Sequence, residues 1–264
     1  MILVLFDNGG TLIDDPFPVV IQALRSTWAE SKILSNYFTQ ATFRTFLELW
    51  AKENATVDFP FASHFLQEER WIISALSQGM GVSAVDSQTI PFVSPIILNI
   101  YRKLAKEAIE RQTQLPTLRS ELSSLNSCAQ VVLGVASNDR DYATRAMLSW
   151  AGLDTLFDAI VTSEKLSTSG SVIEKPNPLF FTSAEEMVLR QISRKSFRQK
   201  IYVGDNEKND IEAARPLGYL TVRYFSGSKS ATNIWMNSPD HTSATVSYRR
   251  PNELGKVIRS LIPT

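Results

Sequence analysis

The sequence predicts an α/β protein: a doubly wound parallel sheet with an all-helical domain inserted after its first strand. Three observations carry this prediction. Short apolar runs recur along the chain with helical patterns between them, as strands covered on both faces by helices require. The alternation is suspended between residues 16 and 115, where only helical patterns occur. The chain has 264 residues and 44% hydrophobic content, enough for one large or two small domains and for a buried core.

The first run, Ile2–Phe6, is apolar throughout and stops at Asp7, with Gly9 and Gly10 following. A strand without a polar face belongs in the middle of a parallel sheet. Similar runs predict strands at Val131–Ala136, Ala159–Thr162, Ile201–Gly204 and Leu220–Tyr224, and Thr245–Tyr248 adds one at the edge. Helices are predicted between them at Leu118–Cys128, Tyr142–Ala151, Leu179–Ile192 and Asn209–Leu217. Inside the insertion the helical patterns are Val19–Glu30, Thr42–Glu53, His64–Ser77 and Pro95–Arg111, with Gly79–Thr89 as a loop. The expected division is residues 1–15 and 116–264 for the α/β domain and residues 16–115 for the helical one. A crevice between two lobes is a natural ligand site. Trp28, Trp50 and Trp71 fall in the insertion and read as its core, and Ser226–Ser243, rich in Ser, Asn, Gly and Thr, reads as an irregular connection.

Composition narrows the function classes. Lys+Arg and Asp+Glu are both 27, and a formal net charge of zero argues against a nucleic-acid-binding protein. The single cysteine, Cys128, excludes an internal disulfide and reads as a buried thiol in a reducing, cytoplasmic compartment. No apolar run approaches the ~20 residues that span a bilayer, and the opening Met-Ile-Leu-Val-Leu-Phe lacks the basic leader of a secretion signal, so no membrane partner is expected.

Residues that carry chemistry sit where predicted strands end. Asp7 follows the first strand, at the sheet edge where α/β proteins bind ligands, although Asp before Gly-Gly is also a turn signature. Ser137 follows the second strand and reads either as a cap for the next helix or as a hydroxyl donor to an anion. Lys175, in Lys175-Pro176-Asn177-Pro178, is placed in a stiff extended segment and not on a helix face, although by itself it reads equally as a plain surface lysine. Asp205 and Asp210, five residues apart across a strand end and a helix start, have the spacing to converge on one divalent cation; Asp210 is equally a first-turn acid favoured by the helix dipole.

Taken in order, these four signals resemble the haloacid-dehalogenase-like hydrolase superfamily, in a form with a helical cap inserted after the first motif. The strongest matches are Lys175-Pro-Asn-Pro-Leu-Phe and Gly204-Asp205 through Asp210-Ile-Glu-Ala-Ala-Arg-Pro-Leu-Gly218. The resemblance implies a Rossmann-like parallel sheet with an all-helical cap domain, and Mg²⁺-dependent phosphoryl transfer on a small phosphorylated substrate. By the same resemblance Asp7 is the nucleophile that forms an aspartyl-phosphate. Lys175 supplies positive charge, and Ser137 with the amide of Asn138 donates hydrogen bonds to the phosphate oxygens. Asp7, the carbonyl of Gly9, Asp205 and Asp210 are the implied Mg²⁺ ligands.

One position departs from the pattern. Phosphatases of the superfamily have Asp-x-Asp-Gly-Thr, whose second Asp is the general acid and base, and here that position is Gly9. Losing a general acid costs ~10²–10⁴-fold on a poor leaving group. Asp14, Asp15 and His64 are possible substitutes, with Asp14 also suited to shaping the hinge into the insertion. Two alternatives stay open beside the phosphatase. One is another hydrolysis on the same scaffold, such as phosphonate cleavage, which needs a Schiff-base lysine (Lys32, Lys52, Lys103 and Lys106 are present). The other is a non-catalytic phosphate-binding or interaction protein. Retention of Asp205 and Asp210 weighs against a dehalogenase, which uses no Mg²⁺.

Overall fold

The computed structural model describes residues 1–32, 35, 39–55, 89–168, 171–225 and 244–263. They form two compact units, Met1–Asp14 with Gln112–Thr264 and, separately, Asp15–Arg111. The expected insertion ran to residue 115, whereas Leu115 opens a helix of the first unit.

The second unit contains helices α1 (Phe17–Glu30), α2 (Gln40–Ala55) and α3 (Thr89–Glu110). Val20, Ile21 and Leu24 of α1 recur at helical spacing and are buried, as are Phe43, Phe46 and Leu47 of α2. α1 packs on both α2 and α3. Trp28 is half-buried. The side chain of Trp50, Trp71, the expected helix His64–Ser77, the loop Gly79–Thr89 up to the start of α3, and the connection Ser226–Ser243 lie outside the described residues.

The first unit is a six-stranded parallel sheet. Its strands are β1 (Ile2–Phe6), β2 (Val131–Ser137), β3 (Ala159–Thr162), β4 (Gln199–Gly204), β5 (Leu220–Tyr224) and β6 (Val246–Tyr248), in the order β3-β2-β1-β4-β5-β6. Every residue of β1 is buried, which is why its sequence is apolar without alternation. β6 takes the edge position, as Thr245–Tyr248 predicted.

Helices α4 (Leu115–Asn126), α5 (Asp141–Trp150), α6 (Ser163–Leu166), α7 (Pro178–Gln191) and α8 (Leu254–Leu261) flank the sheet. Leu115, Leu118, Leu122 and Leu125 line one stripe of α4, which packs on β2 and α8. Phe180, Phe181, Ala184 and Val188 of α7 share a core with Leu3, Leu5, Val132 and Tyr202 of the strands. Cys128 lies just past α4 and is half-buried, because it falls beyond the last buried leucine of that stripe; the expected buried thiol is corrected on this point. No helix among the described residues is long and apolar enough to cross a membrane.

Register places the site. Phe6 pairs with Val135 on one side and Val203 on the other, so β1, β2 and β4 end nearly level. The strand order reverses at β1, with β2 and β3 on one side and β4 to β6 on the other, which is where ligands bind in open α/β sheets, outside the carboxyl ends of the strands. Asp7, Ser137 and Asp205 all emerge along that edge.

Candidate active site

The loop after β1 is built on two anchors. Asp7 N donates to Val203 O at 2.8 Å, which ties the loop to β4, and Asn8 O accepts from the amides of Thr11, Leu12 and Ile13. Gly10 has φ +79, and a Cβ there would come 2.6 Å from Asp205 Oδ2, so both the backbone and the neighbouring carboxylate demand glycine. Gly9 differs: its φ is not positive, and a Cβ built on it meets nothing within 4 Å.

Carboxylate oxygens of Asp7, Asp205 and Asp210 lie within 4.8 Å of one another, with Asp7 and Asp210 buried and Asp205 half-buried. Asp210 reaches this position through the turn after β4. Asn206 N donates to Asp210 Oδ2 at 3.0 Å, and the Asn206 side chain accepts from Asn209 N at 3.0 Å. A Cβ on Gly204 would collide with Asp210, so glycine at the strand end lets the carboxylate fold back over it. The regular helix expected at Asn209–Leu217 is here a π-helical turn, Glu207–Glu212, followed by a tight 3₁₀ turn, Arg215–Leu217. Pro216 explains the second part, since it cannot donate and its ring crowds the preceding turn; the wide first turn belongs to a class that recurs at functional sites.

Lys175 joins two of the acids. Its Nζ donates to Asp7 Oδ1 at 2.6 Å and to Asp210 Oδ1 at 2.7 Å, with only 4% of the side chain exposed. Burial pulls the ammonium down, but Asp210 and Asp7 outweigh it and hold its pKa well above the usual lysine range. Burial pushes the Asp7 carboxyl up to about 6, with Lys175 opposing the rise and Asp210 adding to it. The expected extended segment is a turn instead, closed by Asn177 N donating to Glu174 O, with a cis peptide between Lys175 and Pro176.

Asn138 holds that turn from the end of β2. Its Oδ1 accepts from Lys175 N at 2.7 Å and its Nδ2 donates to Lys175 O at 3.0 Å, while Ser163 Oγ donates to the same Oδ1. Ser137 is buried, and its hydroxyl donates to Asp139 Oδ2 and accepts from Asp139 N. It does not cap α5, whose N-terminal flank is Arg140 without a side-chain cap. Asp14 serves the chain crossing: Asp14 N donates to Gln112 Oε1, Gln112 Nε2 donates back to Asp14 O, and Gln114 Nε2 donates to Asp14 Oδ2. Asp15 is exposed, as are Lys32, Lys103 and Lys106; His64 and the Lys52 side chain lie outside the described residues.

Two residues around the cluster escaped the sequence reading. The Tyr202 hydroxyl donates to Ala136 O at 3.2 Å and lies 3.4 Å from Asp210 Oδ1, with its ring 5.7 Å from Lys175 Nζ. Burial pushes its phenol well above the usual tyrosine range, so it stays a neutral donor. Arg223 is a charged residue in an otherwise apolar strand, a signal available in the sequence.

These acids and this lysine stand together at the carboxyl edge of the parallel sheet. A model of the haloacid dehalogenase-like hydrolase family matches residues 2–218, and the chain belongs to that family. No curated protein matches the sequence. Similar solved structures include a Thermotoga maritima protein provisionally assigned as a beta-phosphoglucomutase (14% identity, 99% of this chain and 100% of that one, TM-score 0.60). YfnB of Bacillus subtilis, provisionally assigned as a HAD hydrolase and solved with magnesium, matches at 18% identity over 97% of this chain and 98% of that one (TM-score 0.57). The 2-haloacid dehalogenase of Pseudomonas syringae pv. Tomato DC3000 matches at 21% identity over 99% and 100% (TM-score 0.57). At these identities the likeness is one of fold.

Proposed function

We propose that the protein is a Mg²⁺-dependent phosphatase acting on a small phosphorylated metabolite through Asp7. One observation carries the reading: three carboxylates converge beside a single buried ammonium. Fully ionised, that set is a net anion, and an anionic phosphate could approach it only with a divalent cation present. The donor set suits Mg²⁺, a hard cation that takes carboxylate and carbonyl oxygens, and Asp7, Asp205, Asp210 and the Gly9 carbonyl would hold it. When bound, Mg²⁺ supplies charge neutralisation at the phosphoryl oxygens.

The chain's own residues supply the rest. The Asp7 carboxylate attacks phosphorus, the bond to the leaving oxygen breaks, and an aspartyl-phosphate results. Water then attacks that phosphorus, and inorganic phosphate leaves with Asp7 restored. Lys175 holds one Asp7 oxygen, which leaves the other, 3.4 Å from Thr11 Oγ1, as the freer of the two. Its ammonium also offsets charge building on the phosphoryl group, and the Ser137 hydroxyl would add a hydrogen bond by turning its proton from Asp139 Oδ2 to a phosphoryl oxygen. Gly9 provides no proton, so the reading favours substrates whose leaving group departs without one, such as acyl or aryl phosphates, or those carrying their own donor. The test is para-nitrophenyl phosphate hydrolysis with and without Mg²⁺. Turnover that requires Mg²⁺ and disappears in Asp7→Asn supports the reading. Binding of vanadate without turnover of any phosphate ester would instead favour a non-catalytic phosphate-binding protein.

A further inference from the structure

Asp205 differs from the other two acids in how it is held. Asp7 and Asp210 are buried and share Lys175, whereas Asp205 is half-buried, and its carboxylate rests against Gly10, which has no side chain to wall it in. Arg223 restrains its backbone. That residue pairs with Gly204 in the β4–β5 register, directly beside the start of the Asp205 turn. Its Nε donates to Asp205 O at 3.2 Å, its Nη1 donates to the Glu207 carboxylate, and its guanidinium lies 4.5 Å from the centre of the Phe225 ring. One planar group thus spans both ends of Asp205-Asn206-Glu207, which a lysine ammonium cannot do with the same fork.

We infer that Arg223, braced by Glu207, is a positioning residue that sets the Asp205 carboxylate for a divalent cation. The inference rests on the metal-dependent reading above. Stability of the sheet does not call for this residue: a buried guanidinium in a strand carries a desolvation cost that an apolar side chain there would avoid. Glu207 has a second part in the arrangement. A bare guanidinium beside a cation site would repel the cation, and the Glu207 carboxylate offsets that charge.

The experiment is calorimetric titration of the metal-free protein with Mg²⁺, wild type against Arg223→Met, Arg223→Lys and Glu207→Gln, with a thermal melt of each metal-free variant. Residues that orient ligands typically change metal affinity ~10–100-fold. Arg223→Met is expected to weaken Mg²⁺ by that factor, Glu207→Gln by about 10-fold, and Arg223→Lys to recover only part of the loss. A purely structural role would lower the melting temperature and leave the affinity of the folded protein unchanged. Wild-type affinity retained in Glu207→Gln and in whichever Arg223 variants fold would overturn the inference and leave the metal-dependent reading intact. Wild-type protein that fails to bind Mg²⁺ would overturn both.

Discussion

Lys175 Nζ lies 2.6 Å from Asp7 Oδ1, in a position that only 4% of its side-chain surface leaves open to water. The two residues stand 168 positions apart in sequence, and the pair sits at the carboxyl end of β1. A buried ion pair of this kind contributes through what happens when one partner is removed, since the remaining charges cannot be rehydrated.

Lys175→Met is accordingly expected to destabilise the metal-free protein at pH 7 by ~3–5 kcal/mol, because Asp7 and Asp210 would be left as uncompensated buried carboxylates. Urea unfolding measures this. Adding Mg²⁺ should return part of the loss, since the cation would then compensate the same oxygens.

The pH dependence of metal-free stability follows from Asp7. Its carboxyl titrates near 3.8 when unfolded and is pushed up to about 6 by burial in the fold. Between those values the folded state binds more protons, so stability falls as pH rises, and the fall levels off only once pH has risen through about 6. The melting temperature without metal should therefore be higher at pH 5 than at pH 7. Asp7→Asn removes this group, and melts of the variant should show a smaller difference between the two pH values.

Asp205→Asn should weaken Mg²⁺ binding while leaving the fold intact. Removing one carboxylate from a cluster whose oxygens lie within 4.8 Å relieves repulsion, so the metal-free melting temperature should stay level or rise. Unchanged Mg²⁺ affinity by calorimetry would remove Asp205 from the ligand set.

Adjacent glycines should respond oppositely to a side chain. Gly10→Ala forces a Cβ into the Asp205 carboxylate at a positive φ and is expected to cost ~1–3 kcal/mol. Gly9 has no positive φ and open space around a built Cβ, so Gly9→Asp should fold. On the phosphatase reading it should raise kcat/KM for alkyl phosphates, whose leaving group needs a proton, and change aryl phosphates less. Equal loss on both classes would mean that the space over Gly9 belongs to a substrate group.

The sheet was legible because its strands are covered on both faces: Ile2–Phe6 and Val131–Ser137 carry no exposed side chain, and runs that apolar have few other uses. The acids were legible because each follows such a run. Contacts between distant segments were not. Nothing near Asn138 shows that its amide will grip Lys175, 37 residues away, and nothing near Tyr202 distinguishes a phenol aimed at Asp210 from one more core aromatic. The π-turn at Glu207–Glu212 also escaped, because its residues suit an ordinary helix and only the close approach of the Asp210 side chain to Gly204, where a Cβ would not fit, reveals what the backbone accommodates. Arg223 was the exception that could have been noticed, a charge inside Leu220–Tyr224 with no apolar reason to be there.

The most direct measurement of the central claim is acid quenching of the protein during turnover of an aryl phosphate with Mg²⁺, followed by peptide mass spectrometry. The account predicts a phosphoryl adduct on the peptide that contains Asp7, absent in Asp7→Asn and absent without Mg²⁺. Sustained turnover in the Asp7→Asn protein, or an adduct on any other residue, would contradict it.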